Sequence, residues 1–135
     1  MERDPTRADS QGARAPLVFR GALRHELLAL ARDGAPCEVS GRLVADEGGV
    51  VVAAELVHRG AVDEVALPDA SDPRAGTFHS HPASGPMPSE SDRLAMRPGE
   101  PMVIVSLETR EVRAFVLADD RMHVRELVCR WRAGG

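Results

Sequence analysis

The spacing of apolar residues near the start of the chain predicts an α-helix. The pattern turns helical at Leu17, and Gly34 and Pro36 supply the stop signal. The apolar residues that fall on or near one face at helical spacing are Phe19, Leu23, Leu27, Leu30 and Ala31. We therefore expect a first helix between Leu17 and Gly34.

After this helix the pattern changes to short runs that are typical of β-strands. The predicted strands cover 37–45, 50–57, 62–67 (the weakest of them), 77–81, 102–107, 112–117 and 122–128. Residues 46–49, Asp-Glu-Gly-Gly, have the composition of a hairpin turn, and the last three strands are close enough for a meander. A second, short helix is expected over 89–96. This order of elements predicts an α+β fold, a single mixed-sheet domain flanked by helices.

Length and composition indicate one globular domain. The chain has 135 residues, of which 43% are apolar and 28% charged. We expect the domain to cover 17–130, with 131–135 as the C-terminal end. Residues 1–16 are polar and charged and lack the apolar core of a signal peptide, so we expect a mobile tail there. Nowhere do 18 apolar residues run together, so no membrane partner is expected.

The charged and reactive residues exclude several classes of function. A net charge of −4 gives no broad attraction to a phosphate backbone, so nucleic acid is not an expected partner. The chain contains no lysine, which removes Schiff-base chemistry and the P-loop lysine, and no tyrosine to act as an acid. Cys37 and Cys129 form no CxxC pair, and they are expected to be reduced in a cytoplasmic protein.

One stretch, from His79 to Asp92, combines residues that can bind a metal ion. Residues two apart in a strand point to the same face, so the imidazoles of His79 and His81 can converge on one point. Pro82 ends the strand, and Asp92, in the first turn of the next helix, can bring a carboxylate to that point. Two imidazoles, one carboxylate and an open fourth position are typical of a catalytic zinc site.

Each part of this stretch also has a purely structural interpretation. The two histidines of a strand can simply be half-buried and hydrogen-bonded. Ser89 and Asp92 have the spacing of an N-terminal capping box. Capping accounts for the serine and the aspartate, but it does not account for His79-Ser80-His81-Pro82 placed just before them. The combination therefore favours the metal site.

The same residues resemble a known family. The stretch FHSHPASGPMPSESD is similar to the signature of the JAMM metallopeptidases, also called MPN+ or JAB-domain proteins, which is His-x-His-Pro-x6-Ser-x2-Asp. That family also has an upstream glutamate in a Glu-x-Cys/Ser-Gly-x-Leu context, and residues 38–43, Glu-Val-Ser-Gly-Arg-Leu, match it. Residues 99–127 resemble the closing strands of small prokaryotic members. The resemblance covers about residues 20 to 128 and implies a JAB/MPN architecture, which is cytidine-deaminase-like.

The resemblance also implies a role for each site residue. One zinc ion per chain would be held by His79, His81 and Asp92. Glu38 would move the proton of the attacking water, and Ser89 would donate a hydrogen bond to the developing oxyanion. Three other upstream acids, Glu47, Glu55 and Glu64, are alternatives to Glu38 by charge alone, and the match to the family favours Glu38.

The implied activity is zinc-dependent hydrolysis of a peptide or isopeptide bond at the C-terminus of a ubiquitin-like or sulfur-carrier protein. Only 21 residues, 58–78, separate the second strand from His79, and many relatives have a further helix there. This difference disfavours a polyubiquitin-specific enzyme and leaves two alternatives. One is a catalytically silent scaffold of the same fold, and the other is a metal-dependent hydrolase of a small-molecule amide.

The remaining histidines and one cysteine are expected to have no catalytic role. His25 falls on the polar side of the first helix, and His58 and His123 lie on or near strands without partner residues. We expect all three to be structural or solvated. Cys37 adjoins Glu38 but has no base in its sequence neighbourhood, so we expect a small core residue.

Overall fold

The computed structural model describes residues 15–133 and shows a mixed sheet with two helices. The strands are β1 (Leu17–Arg20), β2 (Val39–Ala45), β3 (Val51–Arg59), β4 (Thr77–His81), β5 (Met102–Ser106), β6 (Glu111–Leu117), β7 (Val124–Leu127) and β8 (Cys129–Arg132). The helices are α1 (Leu23–Gly34) and α2 (Glu90–Ala95). The mobile tail predicted for 1–16 lies outside the described residues except for Ala15 and Pro16.

The eight strands form one sheet in the order β7-β6-β5-β4-β2-β3-β1-β8. The pairs β4–β5, β1–β3 and β1–β8 are parallel and the other pairs antiparallel, which confirms the predicted mixed α+β sheet. The predicted meander is also confirmed, because β5, β6 and β7 are consecutive antiparallel neighbours. β7 and β8 lie at opposite ends of the strand order, yet Val128 alone separates them in the sequence. The sheet must therefore curl until its two outer strands approach each other.

Both faces of the central strands are buried, and alternate side chains serve different layers. On one face, α1 buries Leu23, Leu27 and Ala31 against the sheet. The strand residues of β4 to β6 in that cluster are Phe78, Val103, Val105, Val112, Ala114 and Val116. The opposite face holds a second cluster of Met96, Met102, Ile104, Phe115 and Leu117. Because Phe78 faces α1, alternation directs its neighbours His79 and His81 to the face that carries the second cluster.

Neither helix reaches the length and apolarity of a membrane span within residues 15–133.

The glycine-rich turn between β2 and β3 forms as predicted. The Asp46 N–H donates to the Val50 carbonyl at 2.8 Å, and Gly49 has a φ of 86°, a conformation that glycine adopts without strain.

The prediction of helix from Leu17 onward is wrong for the first four residues, which form β1. In β1 the buried side chains of Leu17 and Phe19 alternate with partly exposed ones, which is the period of two of a strand. Over only four residues, this period cannot be distinguished from the apolar spacing of the helix that follows. The strand is held between β3 and β8 by parallel pairing. The ring of Phe19 stacks on that of Trp131 at a centroid distance of 4.3 Å. β8 continues to Arg132, two residues past the predicted end of the domain at residue 130.

The weakest predicted strand, 62–67, is also wrong. This segment has no ladder of backbone hydrogen bonds to a neighbouring strand, and side chains of β2 hold it and its continuation. Ser40 Oγ donates to the Ala66 carbonyl at 2.5 Å, and Arg42 Nε donates to the Asp69 carbonyl at 2.9 Å. The segment runs without regular structure beside β2.

Candidate metal centre

The strand β4 places both histidines of the candidate site inside the protein. All five residues of β4 are buried, with β2 on one side and β5 on the other. His79 Nε2 lies 3.0 Å from Asp92 Oδ1, and His81 Nε2 lies 3.0 Å from Asp92 Oδ2. One potential ligand atom of each residue lies within 4.8 Å of the others. The structure thus brings together all three residues that the sequence predicts as ligands.

The start of α2 explains how the carboxylate of Asp92 reaches the histidines. Ser89 is the N-cap residue, and its Oγ accepts the Asp92 N–H at 3.1 Å. In return, Asp92 Oδ2 accepts the Ser89 N–H at 2.9 Å. This reciprocal capping box fixes the orientation of the Asp92 side chain. The two interpretations of Ser89 and Asp92 are therefore compatible, because the capping bonds direct the carboxylate at the imidazoles.

The burial and hydrogen bonding of the His79 imidazole test whether these residues fit a metal ion. Its side chain is 1% exposed, and neither ring nitrogen has a hydrogen-bond partner among the described residues. The contact between Nε2 and Asp92 is short but lacks hydrogen-bond geometry. Buried polar atoms are rarely without a partner, so a buried imidazole whose Nε2 adjoins a carboxylate fits a cation bound between them.

His81 is held in the orientation that a ligand needs. Its Nδ1 lies 2.8 Å from the Gly85 carbonyl, so Nδ1 carries the proton and donates it. This hydrogen bond leaves the Nε2 lone pair for a metal ion, as second-shell partners commonly do. Without a metal, a proton on Nε2 can bond to Asp92, and binding of a metal ion would displace it.

The charges of the site support each other. Burial opposes the charge of Asp92, but the contacts from His79 and His81 and the Ser89 N–H together hold its pKa far below the usual range. Burial also works against a protonated His81, and it is outweighed by the hydrogen bond to Asp92 and the one to the Gly85 carbonyl, so the pKa of His81 is raised. Asp92 is therefore ionised at neutral pH and available as a metal ligand.

Glu38 lies just before β2 and next to the three ligands. Its backbone is fixed by two hydrogen bonds, from its own N–H to the Ala61 carbonyl and from the Gly60 N–H to its carbonyl, both at 2.8 Å. Burial raises the pKa of its carboxyl group, although the nearby His79 and His81 partly oppose this. A raised pKa makes the carboxylate a better proton acceptor near neutral pH.

A cavity of about 400 Å³ is lined by four of the five predicted site residues. These are Glu38, His81, Ser89 and Asp92, so both predicted catalytic residues share one space with two of the predicted ligands. Its opposite wall is the irregular segment 63–67. Glu64 lies in that wall, whereas Glu47 and Glu55 do not line the cavity.

The other candidate residues lie away from this cavity. His25, His58 and His123 are all exposed, as expected. Cys37 and Cys129 are both free thiols and partly buried. Burial raises the pKa of the Cys129 thiol to about 11, which makes it a poor nucleophile.

Sequence reasoning missed two components of the site. The Gly85 carbonyl that orients His81 is a backbone atom, which leaves no signal in residue types. The wall 63–67 does leave a signal in the sequence, its apolar residues, but that pattern predicts a strand and not the wall of a cavity.

The fold and the cluster define a class of protein, an α+β domain with a buried His-His-Asp cluster that can hold a metal ion. A family model described as "Prokaryotic homologs of the JAB domain" matches residues 21–118. The chain belongs to this family, which confirms the resemblance to the compact prokaryotic JAMM/MPN proteins. Among curated protein sequences, none matches this chain.

Solved structures share the fold at low sequence identity. A solution structure of a Desulfitobacterium hafniense protein has a TM-score of 0.61 at 24% identity, over 86% of this chain and 92% of that one. A JAB1/MPN domain protein from Archaeoglobus fulgidus has a TM-score of 0.55 at 22% identity, over 87% and 99%. A structure described as "JAMM: A Metalloprotease-like Zinc Site in the Proteasome and Signalosome" has a TM-score of 0.53 at 24% identity, over 86% and 98%. These similarities establish the JAB/MPN architecture.

Proposed function

We propose that this protein is a zinc-dependent peptidase or isopeptidase that hydrolyses an amide bond at the C-terminus of a ubiquitin-like or sulfur-carrier protein. The observation that carries the proposal is the cluster of His79, His81 and Asp92, of which His81 and Asp92 line the same cavity as Glu38. The similar fold of a structure described as a metalloprotease-like zinc site adds support.

The donor set favours zinc over a hard cation. Calcium and magnesium prefer oxygen ligands, whereas this cluster offers two imidazole nitrogens and one carboxylate. With three protein ligands, one zinc ion per chain would keep a position open for water or substrate. Held by His79, His81 and Asp92, zinc would supply Lewis acidity, which lowers the pKa of a bound water to about 7 and polarises a carbonyl group.

The residues of the chain would then handle protons and charge. Glu38 accepts the proton of the attacking water and later delivers it to the departing amine, and its raised pKa suits both steps. Ser89 Oγ accepts the Asp92 N–H, so its own hydroxyl proton is left to donate to the developing oxyanion. One such donor is worth about 3 kcal/mol in comparable sites.

The wall of the cavity supports a peptide as substrate. Residues 64–67 have no regular secondary structure, and the backbone N–H groups of Val65, Ala66 and Leu67 form no hydrogen bond to other described backbone groups. An extended substrate chain that lies along this wall can bond to such groups, in the manner of an added strand. The C-terminal tail of a ubiquitin-like protein is an extended chain of this kind.

The two free cysteines are compatible with a cytoplasmic enzyme.

The test combines metal analysis with cleavage of defined fusions. Zinc-loaded protein is incubated with ubiquitin-like and sulfur-carrier proteins that carry a C-terminal extension, and the products are identified by mass spectrometry. We expect wild type to cut at the junction, Glu38→Ala to bind zinc without turnover, and His81→Ala to lose both. Glu55→Ala, which removes an exposed acid outside the cavity, is the matched control and should retain activity.

The outcomes separate the proposal from its alternatives. Stoichiometric zinc without cleavage of any fusion would contradict a protein substrate and favour a small-molecule amide. No zinc in the wild-type protein, with no effect of a chelator, would favour a catalytically silent scaffold.

A further inference from the structure

The backbone pairing between β2 and β4 ends at His79 and does not extend to His81, the last residue of β4. The paired residues are Ser40 with His79, Gly41 with Phe78 and Arg42 with Thr77. Continued by two residues, this register would place Val39 opposite Ser80 and Glu38 opposite His81. Neither of those pairs forms. The position of Glu38 relative to the ligands is therefore not fixed by the ladder.

Beyond the last ladder pair, a hydrogen bond from the backbone to a side chain connects β2 and β4. The Val39 N–H donates to Ser80 Oγ at 2.9 Å, and both residues are completely buried. Ser80 lies between the two histidine ligands in sequence, and its side chain points away from theirs because side chains alternate along a strand. This hydrogen bond thus joins the residue after Glu38 to the residue between His79 and His81.

The other contacts of Glu38 come from the opposite side. Its backbone bonds to Gly60 and Ala61, which follow β3. These bonds tie Glu38 to the segment that follows β3. Within residues 15–133, the hydrogen bond between Val39 and Ser80 is the one that ties the same stretch of β2 to β4 beyond the last ladder pair. Without Ser80 Oγ, this end of β2 would be free to move with β3 relative to the ligands.

We propose that Ser80 is a positioning residue that fixes the carboxylate of Glu38 in the position relative to the metal ligands that proton transfer requires. The inference rests on the proposed function, since Glu38 is taken as the proton acceptor. Ser80 touches neither substrate nor metal, and it acts through the Val39 N–H.

Ser40 offers a matched comparison because it is equally buried and lies on the neighbouring strand. Its hydroxyl donates to the Ala66 carbonyl and so holds the substrate-facing wall instead of Glu38. Loss of this hydroxyl should raise KM and leave kcat almost unchanged. Loss of Ser80 Oγ should lower kcat and leave KM and zinc affinity almost unchanged.

The kinetic test is a double-mutant cycle. We expect Ser80→Ala to lower kcat about a hundredfold, the effect of a misplacement of about 1 Å. In the Glu38→Ala background, the same substitution should change the residual rate less than about twofold, because the residue through which it acts is already gone. Equal losses in both backgrounds would overturn the proposal. If Ser80→Ala melts too low to assay, Ser80→Cys keeps the side-chain volume with a poorer acceptor and serves in the same cycle.

A second measurement does not depend on activity. Amide hydrogen exchange at Val39 should accelerate at least tenfold in Ser80→Ala and stay unchanged in Ser40→Ala. With Co²⁺ bound at the site, pseudocontact shifts should show the Glu38 side chain moving relative to the metal in Ser80→Ala. An unmoved Glu38 would overturn the proposal even if the enzyme is active. If Glu38 moves in Ser80→Ala but the wild-type protein cleaves no fusion, the proposed function is contradicted and the positioning role is left intact.

Discussion

The double role of Asp92 gives a prediction that separates helix capping from metal binding. Asp92→Asn retains the size of the side chain and one oxygen that can accept the Ser89 N–H, so α2 should still form. It removes the negative charge that faces His79 and His81. Ser89→Ala does the reverse, since it removes the hydroxyl that accepts the Asp92 N–H and leaves the carboxylate in place.

The expected magnitudes follow from binding linkage and from the strength of a cap. Zinc present at 100 times its Kd stabilises the folded protein by about 2.7 kcal/mol, which for a domain of this size raises Tm by about 10 °C. Asp92→Asn should lose most of this zinc-dependent rise, because one of three ligands and its charge are gone. Ser89→Ala should lower the Tm of the metal-free protein by about 4 °C, the effect of losing a cap worth about 1 kcal/mol, and retain most of the rise.

Both effects are measured by calorimetry, which records the thermal unfolding of metal-stripped protein with and without added zinc. Leu94→Ala serves as a control on α2, since this side chain is 85% exposed and Leu94 is neither the cap residue nor a predicted ligand. A full zinc-dependent rise in Asp92→Asn would refute the assignment of Asp92 as a ligand.

Three further predictions concern pH, thiol chemistry and packing. The raised pKa of His81 means that its imidazole stays protonated to higher pH than that of an ordinary histidine. As the pH is lowered, zinc affinity should therefore begin to fall at a higher pH than it would with an ordinary histidine ligand, which chelator competition at several pH values would measure; an unchanged affinity would contradict the displacement of that proton. With a thiol pKa of about 11, Cys129 should react with a thiol reagent at pH 8 much more slowly in the native protein than after unfolding, and equal rates in the two states would contradict the raised pKa. Leu27→Ala, in the centre of the α1 face, should lower the free energy of unfolding by about 2 to 5 kcal/mol in urea titrations, and a loss below 1 kcal/mol would contradict the packing of α1.

The parts of the fold that local patterns encode could be predicted from the sequence. The meander β5 to β7 is marked by alternating residues and short turns, and β4 is marked by the proline that ends it. The sequence does not distinguish β1 from the first helix, because over four residues a period of two resembles a helical stripe. Its partner β8 lies at the other end of the described chain, so nothing near Leu17 in the sequence indicates the strand.

For the site, residue types and spacing predicted the ligands but not what holds them. His79, His81 and Asp92 could be predicted because metal binding demands particular side chains at particular intervals. Contacts made to backbone atoms, such as the Gly85 carbonyl and the Val39 N–H, place no demand on the residue type of the partner. Such contacts become visible only when the strands are seen side by side.

The closure of the sheet has a consequence for the order of folding. Leu17 pairs with Cys129 across nearly the whole described chain, so this contact pays the largest loop-closure entropy in the domain. Contacts of this range form late, and they slow folding relative to the local hairpins. Until β8 docks, β1 has only its single pairing with β3, and Phe19 lacks the ring of Trp131. We therefore expect a late folding step in which β1 and β8 dock together, and the reverse of this step should open the domain first under mild denaturant, while the centre around β4 stays folded.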